Sequence, residues 1–299
     1  MLVRRTLRRT LAAVAVLPLV LAAAACAPES DGGSSTAKDP ADSGSASADA
    51  CATDTLALRT AGQLTVGTDS PAYEPWFVDN DPSNGKGFES AVAYAVAEQL
   101  GFSKDQVKWI KVPFNSSYKP GPKDFDFDIN QISINPKRAE AVDFSDGYYS
   151  AAQAVIALKG TKGAEATSLD DLKGLRLGAQ TGTTSLTAIR DVIQPDTDPV
   201  VFEDTNAAKQ ALQNDQVDAI LADLPTAFYI SAVEIPDSVL VGQFQPETGE
   251  QEEFGMLFEK GSELVPCVNQ ALAALQEDGT LAAIEKQWLS DVVDVPVLQ

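Results

Sequence analysis

Between Leu64 and Leu289 the chain alternates short apolar runs with segments of helical period, and this alternation most restricts the folds open to it. Leu64-Thr-Val-Gly-Thr68, following Gly62, reads as a buried strand. Phe88 to Leu100 places Phe88, Val92, Ala95, Val96 and Leu100 at helical spacing before Gly101. Val107 to Val112 reads as another strand. Phe125 to Ile134 alternates in β fashion, and Asn135-Pro136 then caps a short helix holding Lys137, Arg138 and Ala139. The order recurs further on. Ala151 to Leu158 is a strand, Leu169 to Leu172 turn at Gly174 into a strand over Leu175 to Ala179, and Thr181-Gly-Thr-Thr-Ser185 opens a helix. Ala207 to Leu212 is helical, Val217 to Ala222 is a strand and Pro225 starts a further helix. Phe254 to Phe258 returns as a strand, followed by helices over Val265 to Leu275 and Leu281 to Leu289 around an Asp278-Gly279 turn. Repeated β-α-β order predicts an α/β fold with mostly parallel sheets.

The chain begins with a different kind of segment. Arg4, Arg5, Arg8 and Arg9 precede an apolar run from Leu11 to Leu21, and Ala22 to Ala25 lead into Cys26. A basic flank, a short apolar stretch and small residues before a cysteine read as a secretory signal over residues 1–25, too short to span a bilayer permanently. Cys26 resembles a bacterial lipoprotein site, with Ala23 where that pattern usually carries Leu; ordinary cleavage and free secretion is the alternative. Residues 27–50 hold Ala, Ser, Gly, Asp and Pro with nothing large to bury, which is the composition of a tether. Its 24 residues give a flexible reach of roughly 25 to 30 Å. Residues 51–299 are long enough for two lobes.

Net charge is −21, and setting aside residues 1–25 with their four arginines makes it −25. Such a surface repels nucleic acid and anionic lipid heads. Histidine is absent, which removes the Ser-His-Asp and Cys-His nucleophiles and the commonest metal ligand together. No cofactor, no metal and no enzymatic activity are expected. Beyond Cys26 only Cys51 and Cys267 remain, and two cysteines exported to an oxidising compartment most often pair. A Cys51–Cys267 disulfide is expected, the alternative being two buried thiols.

Ligands of open α/β sheets bind beyond the carboxyl ends of strands. Asn130, Gln131 and Ser133 lie near one such end, and Arg138 follows in the first turn of the next helix. A cation there opposes the helix dipole unless an anion shares the position, so Arg138 suits a bidentate carboxylate or else a surface pair with Glu140 or Asp143. Thr181-Gly-Thr-Thr-Ser185 offers backbone N–H groups at a helix start. Asp223 ends a strand before Leu224-Pro225, placed to receive an ammonium group or to cap the following helix.

These residues, in this order, resemble the solute-binding proteins of bacterial polar amino-acid ABC importers, from about Leu64 to Leu289. The pieces are Leu64-Thr-Val-Gly-Thr-Asp69; Gly87-Phe-Glu89; Phe125-Asp-Phe-Asp-Ile-Asn-Gln-Ile-Ser-Ile-Asn-Pro-Lys-Arg138; Val142-Asp-Phe-Ser-Asp-Gly-Tyr-Tyr149; Leu169-Asp-Asp-Leu-Lys-Gly174; Gln180-Thr-Gly-Thr-Thr184; Val217-Asp-Ala-Ile-Leu-Ala-Asp223; and Asp278-Gly-Thr280. The resemblance implies a two-lobed periplasmic-binding-protein fold. Lobe one would be residues 52–150 and 251–299, lobe two residues 151–250, with chain crossings near 150–154 and 243–251 as the hinge. By the same resemblance Arg138 grips the ligand carboxylate with Ser133 and the backbone at Thr183 and Thr184. Asp223 holds the ammonium beside Gln131, Tyr73 and Phe114 sandwich the ligand unless they are core residues, and Asp69 touches its side chain. The implied molecule is a monomer anchored by lipidated Cys26 to the outer face of the cell membrane, with an ABC permease as partner.

Departures from the family pattern gather at one rim of the expected cleft. Gly-Phe-Asp-x-Asp becomes Gly87-Phe88-Glu89-Ser90-Ala91, and a Ser-Ser-Tyr-Lys-Pro-Gly-Pro run lies between Phe114 and Phe125. Asp128 stands in a usually apolar strand, where a satisfied core carboxylate is the favoured reading over a specificity element. An exported lyase like the cyclohexadienyl dehydratases, with Asp128 or Glu89 as acid, and a receptor feeding a sensor are the competing functions.

Overall fold

A computed structural model describes residues 51–245, 252–289 and 295–299. The signal segment, Cys26, the tether and most of the second expected crossing lie outside the described residues.

Two five-stranded sheets organise the described residues. The first has the order β2 (Val107–Lys111), β1 (Leu64–Thr68), β3 (Phe127–Asp128), β10 (Glu252–Glu259), β4 (Val142–Ala151). The second runs β7 (Val200–Phe202), β6 (Leu177–Gln180), β8 (Ala219–Asp223), β5 (Gln153–Leu158), β9 (Ser238–Phe244). Strand β1 is buried along its whole length, as its unbroken apolar and small residues require. Its Leu64 and Val66 pack with Phe88, Val92 and Val96 of α1 (Phe88–Gln99) and with Val268 and Leu272 of α7 (Val265–Glu277). In the second sheet period-2 alternation divides the strands between two cores. Val155, Ala157, Ala219 and Leu221 face one side, and Ala154, Ile156, Ile220 and Ala222 the other.

Mostly parallel sheets were expected, and both are mixed. Strand β1 pairs parallel with β2 and β3, and β6 with β7 and β8, but β10 runs antiparallel to β3 and β4, and β5 antiparallel to β8 and β9. The cause is the double passage between sheets. The chain leaves the first along β4, enters the second along β5 and returns from β9 to β10, so outgoing and returning strands oppose each other. The strand expected over Ala151 to Leu158 breaks at Ala152, because Ala151 pairs with Glu252 in the first sheet while Gln153 pairs with Asp223 and Phe244 in the second.

Three further differences bear on the site. The expected strand from Phe125 to Ile134 shrinks to Phe127–Asp128, since Gln131 takes a φ of 46° and turns the chain. Strands β7 and β9 were not anticipated. Residues 295–299, expected with lobe one, lie on the second sheet: Gln243 N–H donates to Pro296 O at 2.7 Å, Leu298 N–H donates to Gln243 O at 2.9 Å, and Leu298 is buried against Gly242. An apolar side chain and an unpaired edge of β9 meet there, which outweighs continuity with α8 (Thr280–Leu289).

The Cys51–Cys267 disulfide is present, tying the start of the described chain to α7. Among the described residues no helix is long and apolar enough to cross a membrane.

Helix α1 shows how loop and helix fix one another. Its first amides donate to loop carbonyls, Phe88 N–H to Pro75 O and Glu89 N–H to Trp76 O, each at 3.0 Å. Gly87 has φ 95°, and a Cβ there would stand 2.4 Å from Trp76 O, so only glycine lets the loop lie this close. That packing buries Glu89 in the first turn, where the dipole favours an anion.

Candidate functional site

A cavity of about 60 Å³ lies between the two sheets, well above the roughly 10–15 Å³ that one water needs. Eight of the nine ligand-site residues expected from sequence line it: Asp69, Tyr73, Phe114, Gln131 and Ser133 from the first lobe, Thr183, Thr184 and Asp223 from the second. The ninth, Arg138, stands behind this lining.

Arg138 follows from Asn135, whose side chain accepts the Arg138 N–H at 2.8 Å and starts the short helix α3 (Pro136–Ala139). Its guanidinium is buried, stacked 4.9 Å from the ring centre of Tyr118 and 5.6 Å from that of Phe114. One amino group donates to Ser133 O at 2.8 Å and the other to Gly182 O at 2.9 Å, so a single side chain joins the two lobes. Burial lowers its pKa, with Tyr118, Glu252 and Asp223 opposing that shift. The surface pair with Glu140 or Asp143 is not formed, since Asp143 binds Lys260 at 2.7 Å.

Asp223 sits at the start of α6 (Leu224–Tyr229) without capping it. Its carboxylate accepts instead from Gln153 Nε2 at 2.8 Å. The same amide donates to Glu252 Oε2 at 2.9 Å, Ser185 Oγ donates to Gln153 Oε1 at 2.5 Å, and Ser133 Oγ donates to Glu252 Oε1. Two carboxyls therefore share one amide. Burial first and the Glu252 charge second hold Asp223 well above the usual carboxylate range. A cation entering beside Asp223 would relieve both.

Asp69 is turned back on the chain, accepting from Ser70 N–H at 2.6 Å and from Phe114 N–H at 3.1 Å, so it fixes the start of α2 (Phe114–Ser117). Phe114 serves both as lining and as core, packed edge-on against Tyr118. Tyr73 presents its ring to Lys209 Nζ at 5.5 Å, while its hydroxyl has no hydrogen-bond partner. Burial and Asp204 push that phenol above its ordinary range. Thr183 caps α4 (Thr184–Ala188) by accepting Leu186 N–H at 3.2 Å, and both Thr183 and Thr184 line the cavity.

Gln131 is held by Glu89. Its backbone N–H donates to Glu89 Oε1 at 2.6 Å, and its side-chain amide donates to Glu89 Oε2. The Tyr148 hydroxyl also donates to Oε1. A left-handed φ at a residue with a Cβ costs about 1–2 kcal/mol, and hydrogen bonds to a charged acceptor, at about 1.5–3 kcal/mol each, offset it. Burial pushes Glu89 up to about 7 against those three bonds.

Asp128 corrects an expectation. It is fully buried and neither carboxyl oxygen has a hydrogen-bond partner, so it is not a satisfied core carboxylate. Burial, then Glu89 and Asp69, hold it well above the usual range, with Lys123 opposing.

Sequence reasoning passed over Gln153, Glu252 and Thr226. Trp76 Nε1 donates to Thr226 Oγ1 at 2.7 Å, a further contact between lobes. A glutamine heading the apolar run Gln153-Ala-Val-Ile-Ala-Leu158 was the available signal, because an amide buried beside apolar neighbours must find partners. Among the described residues no three His, Cys, Asp or Glu side chains gather to hold a metal ion.

Comparison with known proteins gives the context. Residues 64–291 match the bacterial extracellular solute-binding proteins, family 3. The L-cystine-binding protein TcyJ of Escherichia coli (strain K12) is 30% identical over 234 residues, 77% of this chain and 84% of that protein. The L-cystine-binding protein TcyA of Bacillus subtilis (strain 168) is 30% identical over 244 residues, 79% of this chain and 84% of that protein. An ancestral arginine-binding protein bound to glutamine shares the two-lobed α/β fold with a TM-score of 0.64 at 31% identity, covering 77% of this chain and 98% of that one. Because the family match runs through both sheets and takes in every residue lining the cavity, the chain belongs to the bacterial extracellular solute-binding proteins, family 3.

Proposed function

We propose that this protein binds a small polar amino acid between its lobes and delivers it to an ABC import permease. The observation that carries the reading is Asp223, a half-buried carboxyl lining a cavity made by both lobes and crowded by Glu252. An α-ammonium placed there gains a charge-assisted partner and relieves the repulsion. At the other pole Arg138 has spent two of its five donors on carbonyls, and the remainder suit a carboxylate beside Ser133 and the Thr183–Thr184 amides. Relatives named for cystine and arginine support an amino-acid ligand. Tyr73, Phe114, Asp69 and Gln131 complete the pocket around the ligand.

A ligand touching both lobes favours the closed form over the open one, and the permease would recognise that closed form. The hinge of this reading lies at Ala152 and between Phe244 and Glu252. Cys26 carries the lipid that keeps the monomer at the outer face of the membrane, and no catalysis is involved.

The test is a thermal-shift panel of the twenty proteinogenic L-amino acids plus L-cystine. Ligand at a hundred times its dissociation constant adds about 2.7 kcal/mol, a shift easily read. Stabilisation by one or a few polar members is expected, and a flat panel from folded protein removes the reading. Prephenate or arogenate turned over to an aromatic product would replace it with the lyase.

A further inference from the structure

Beyond the residues that touch the cavity, one buried acid governs its shape. We infer that Glu89 is a positioning residue for the ligand site, holding Gln131 in a left-handed turn and so fixing how residues 130–133 meet the cavity. The inference deepens the amino-acid reading above and rests on it only for the identity of what the cavity takes.

Glu89 does not line the cavity, whereas Asn130, Gln131 and Ser133 do. It is fully buried in the first turn of α1, and both its oxygens point to one neighbour: Gln131 N–H reaches Oε1 at 2.6 Å and the Gln131 amide reaches Oε2. This clasp falls on a residue with φ 46°, a conformation a side chain bearing Cβ seldom adopts unaided. Directly after the turn, Ser133 bridges to Phe254 of β10 and passes its hydroxyl to Glu252, so the angle at Gln131 is transmitted to the hinge. With its backbone N–H and one amide hydrogen committed to Glu89, Gln131 keeps its two oxygens for other partners. Both are acceptors, the polarity an ammonium group requires.

Tyr148 on β4 contacts Glu89 directly, and Asp128 on β3 and Asp223 on β8 interact with it through charge. Tyr148 donates to it, and the two carboxyls add only like charge. With burial the largest influence, Glu89 titrates at about 7, so at pH 8 it accepts all three hydrogen bonds and at pH 6 one oxygen carries a proton. A protonated oxygen cannot accept from Gln131 in the same way, and the clasp loosens.

The decisive experiment is ¹⁵N NMR of the purified chain, following the backbone and side-chain amides of Gln131 from pH 5.5 to 8.5. A step near pH 7 at both amides, lost in Glu89→Gln, is expected. Absence of the step, or its survival in the variant, overturns the inference without reference to any ligand. The second readout is affinity at pH 8 for whichever of the twenty amino acids shifts the wild-type protein most. Glu89→Gln should cost at least about tenfold, 1.4 kcal/mol, in the native background but no more than about threefold beside Gln131→Gly, because glycine adopts the turn without help. An equal loss in both backgrounds makes Glu89 a merely packed acid and overturns the inference. If Glu89→Gln fails to fold, Gln131→Gly alone decides. Losing a donor to the charged form must raise the Glu89 titration point, and an unchanged point refutes the clasp. A flat amino-acid panel would sink the proposed function while leaving the Gln131 titration to judge the clasp.

Discussion

Asp128→Asn isolates the cost of a buried, unpartnered carboxyl with almost no change of volume. Asp128 pairs in register with Gly67, and its Oδ2 lies 2.6 Å from where a Cβ on Gly67 would stand, so any bulkier replacement would confound electrostatics with overpacking. In the unfolded chain the carboxyl titrates near 3.9; in the fold, burial and the like charges of Glu89 and Asp69 hold it well above that. Between those two values the folded state binds the proton and the unfolded state has released it. Stability accordingly falls as pH rises, by about 1.4 kcal/mol per unit, until the folded value is reached. Asparagine has no proton to lose, so its stability relative to wild type must climb by that slope above about pH 5. Urea unfolding followed by tryptophan fluorescence at pH 4, 5, 6 and 7 measures the difference. Near pH 4 the two proteins should agree within about 1 kcal/mol, both side chains being neutral in the fold. A gap that does not change with pH would refute the reasoning, since it would mean that Asp128 ionises in the fold as readily as in the unfolded chain.

Three more outcomes are expected. Asp223→Asn removes the repulsion with Glu252, so it should raise stability at pH 8 while weakening ligand binding at least about tenfold; calorimetric titration beside urea unfolding reads both, and unchanged affinity would remove Asp223 from the site. Replacing both Cys51 and Cys267 by serine opens a loop of 216 residues' separation and should cost up to about 5 kcal/mol by the loop-entropy argument, visible as a lowered urea midpoint. Leu298→Ala should cost about 2–5 kcal/mol in the second lobe, seen as faster hydrogen exchange in β9 than in β1, because Leu298 fills the space above Gly242.

What could be read from the sequence followed period and punctuation. Strand β1, helix α1, the Asn135 cap before Arg138 and the Thr183 cap before α4 all carry their own local signals, and each forms within a residue or two of its expected place. Strands β7 and β9 carry weaker ones. Val200 and Val201 form an exposed edge of three residues, and β9 is interrupted by Gly242, so neither shows the alternation of a half-buried strand. The break at Ala152 is invisible for another reason. Gln153 belongs to a continuous apolar run, and only the sheet that each neighbour joins reveals that the chain changes lobes there. Among the site residues, identity announced Arg138 and Asp223 as charges near strand ends but not their partners, which come from positions far away in sequence.

In the proposed reading, those distant partners would make closure depend on a ligand. Gln153 Nε2 donates at once to Asp223 in the second sheet and to Glu252 in the first, so one amide straddles the crossing between lobes. The two carboxyls meet at that amide, and after burial the Glu252 charge is the next influence that raises Asp223. In the proposed reading, closure without a cation would carry a penalty, met by protonating Asp223. With an ammonium at Asp223, as proposed, the penalty would become an attraction and the same contact would favour closure. Arg138 and Trp76 join the lobes by their bonds to Gly182 and Thr226. In that reading the balance between these contacts and the carboxyl pair would set how far the closed form depends on ligand. Trp76→Phe, which removes one joining bond and keeps the aromatic packing with Phe88, Tyr149 and Phe254, should weaken ligand affinity several-fold while leaving selectivity among amino acids unchanged. A change in selectivity instead would mean that Trp76 shapes the pocket and does not merely join its walls.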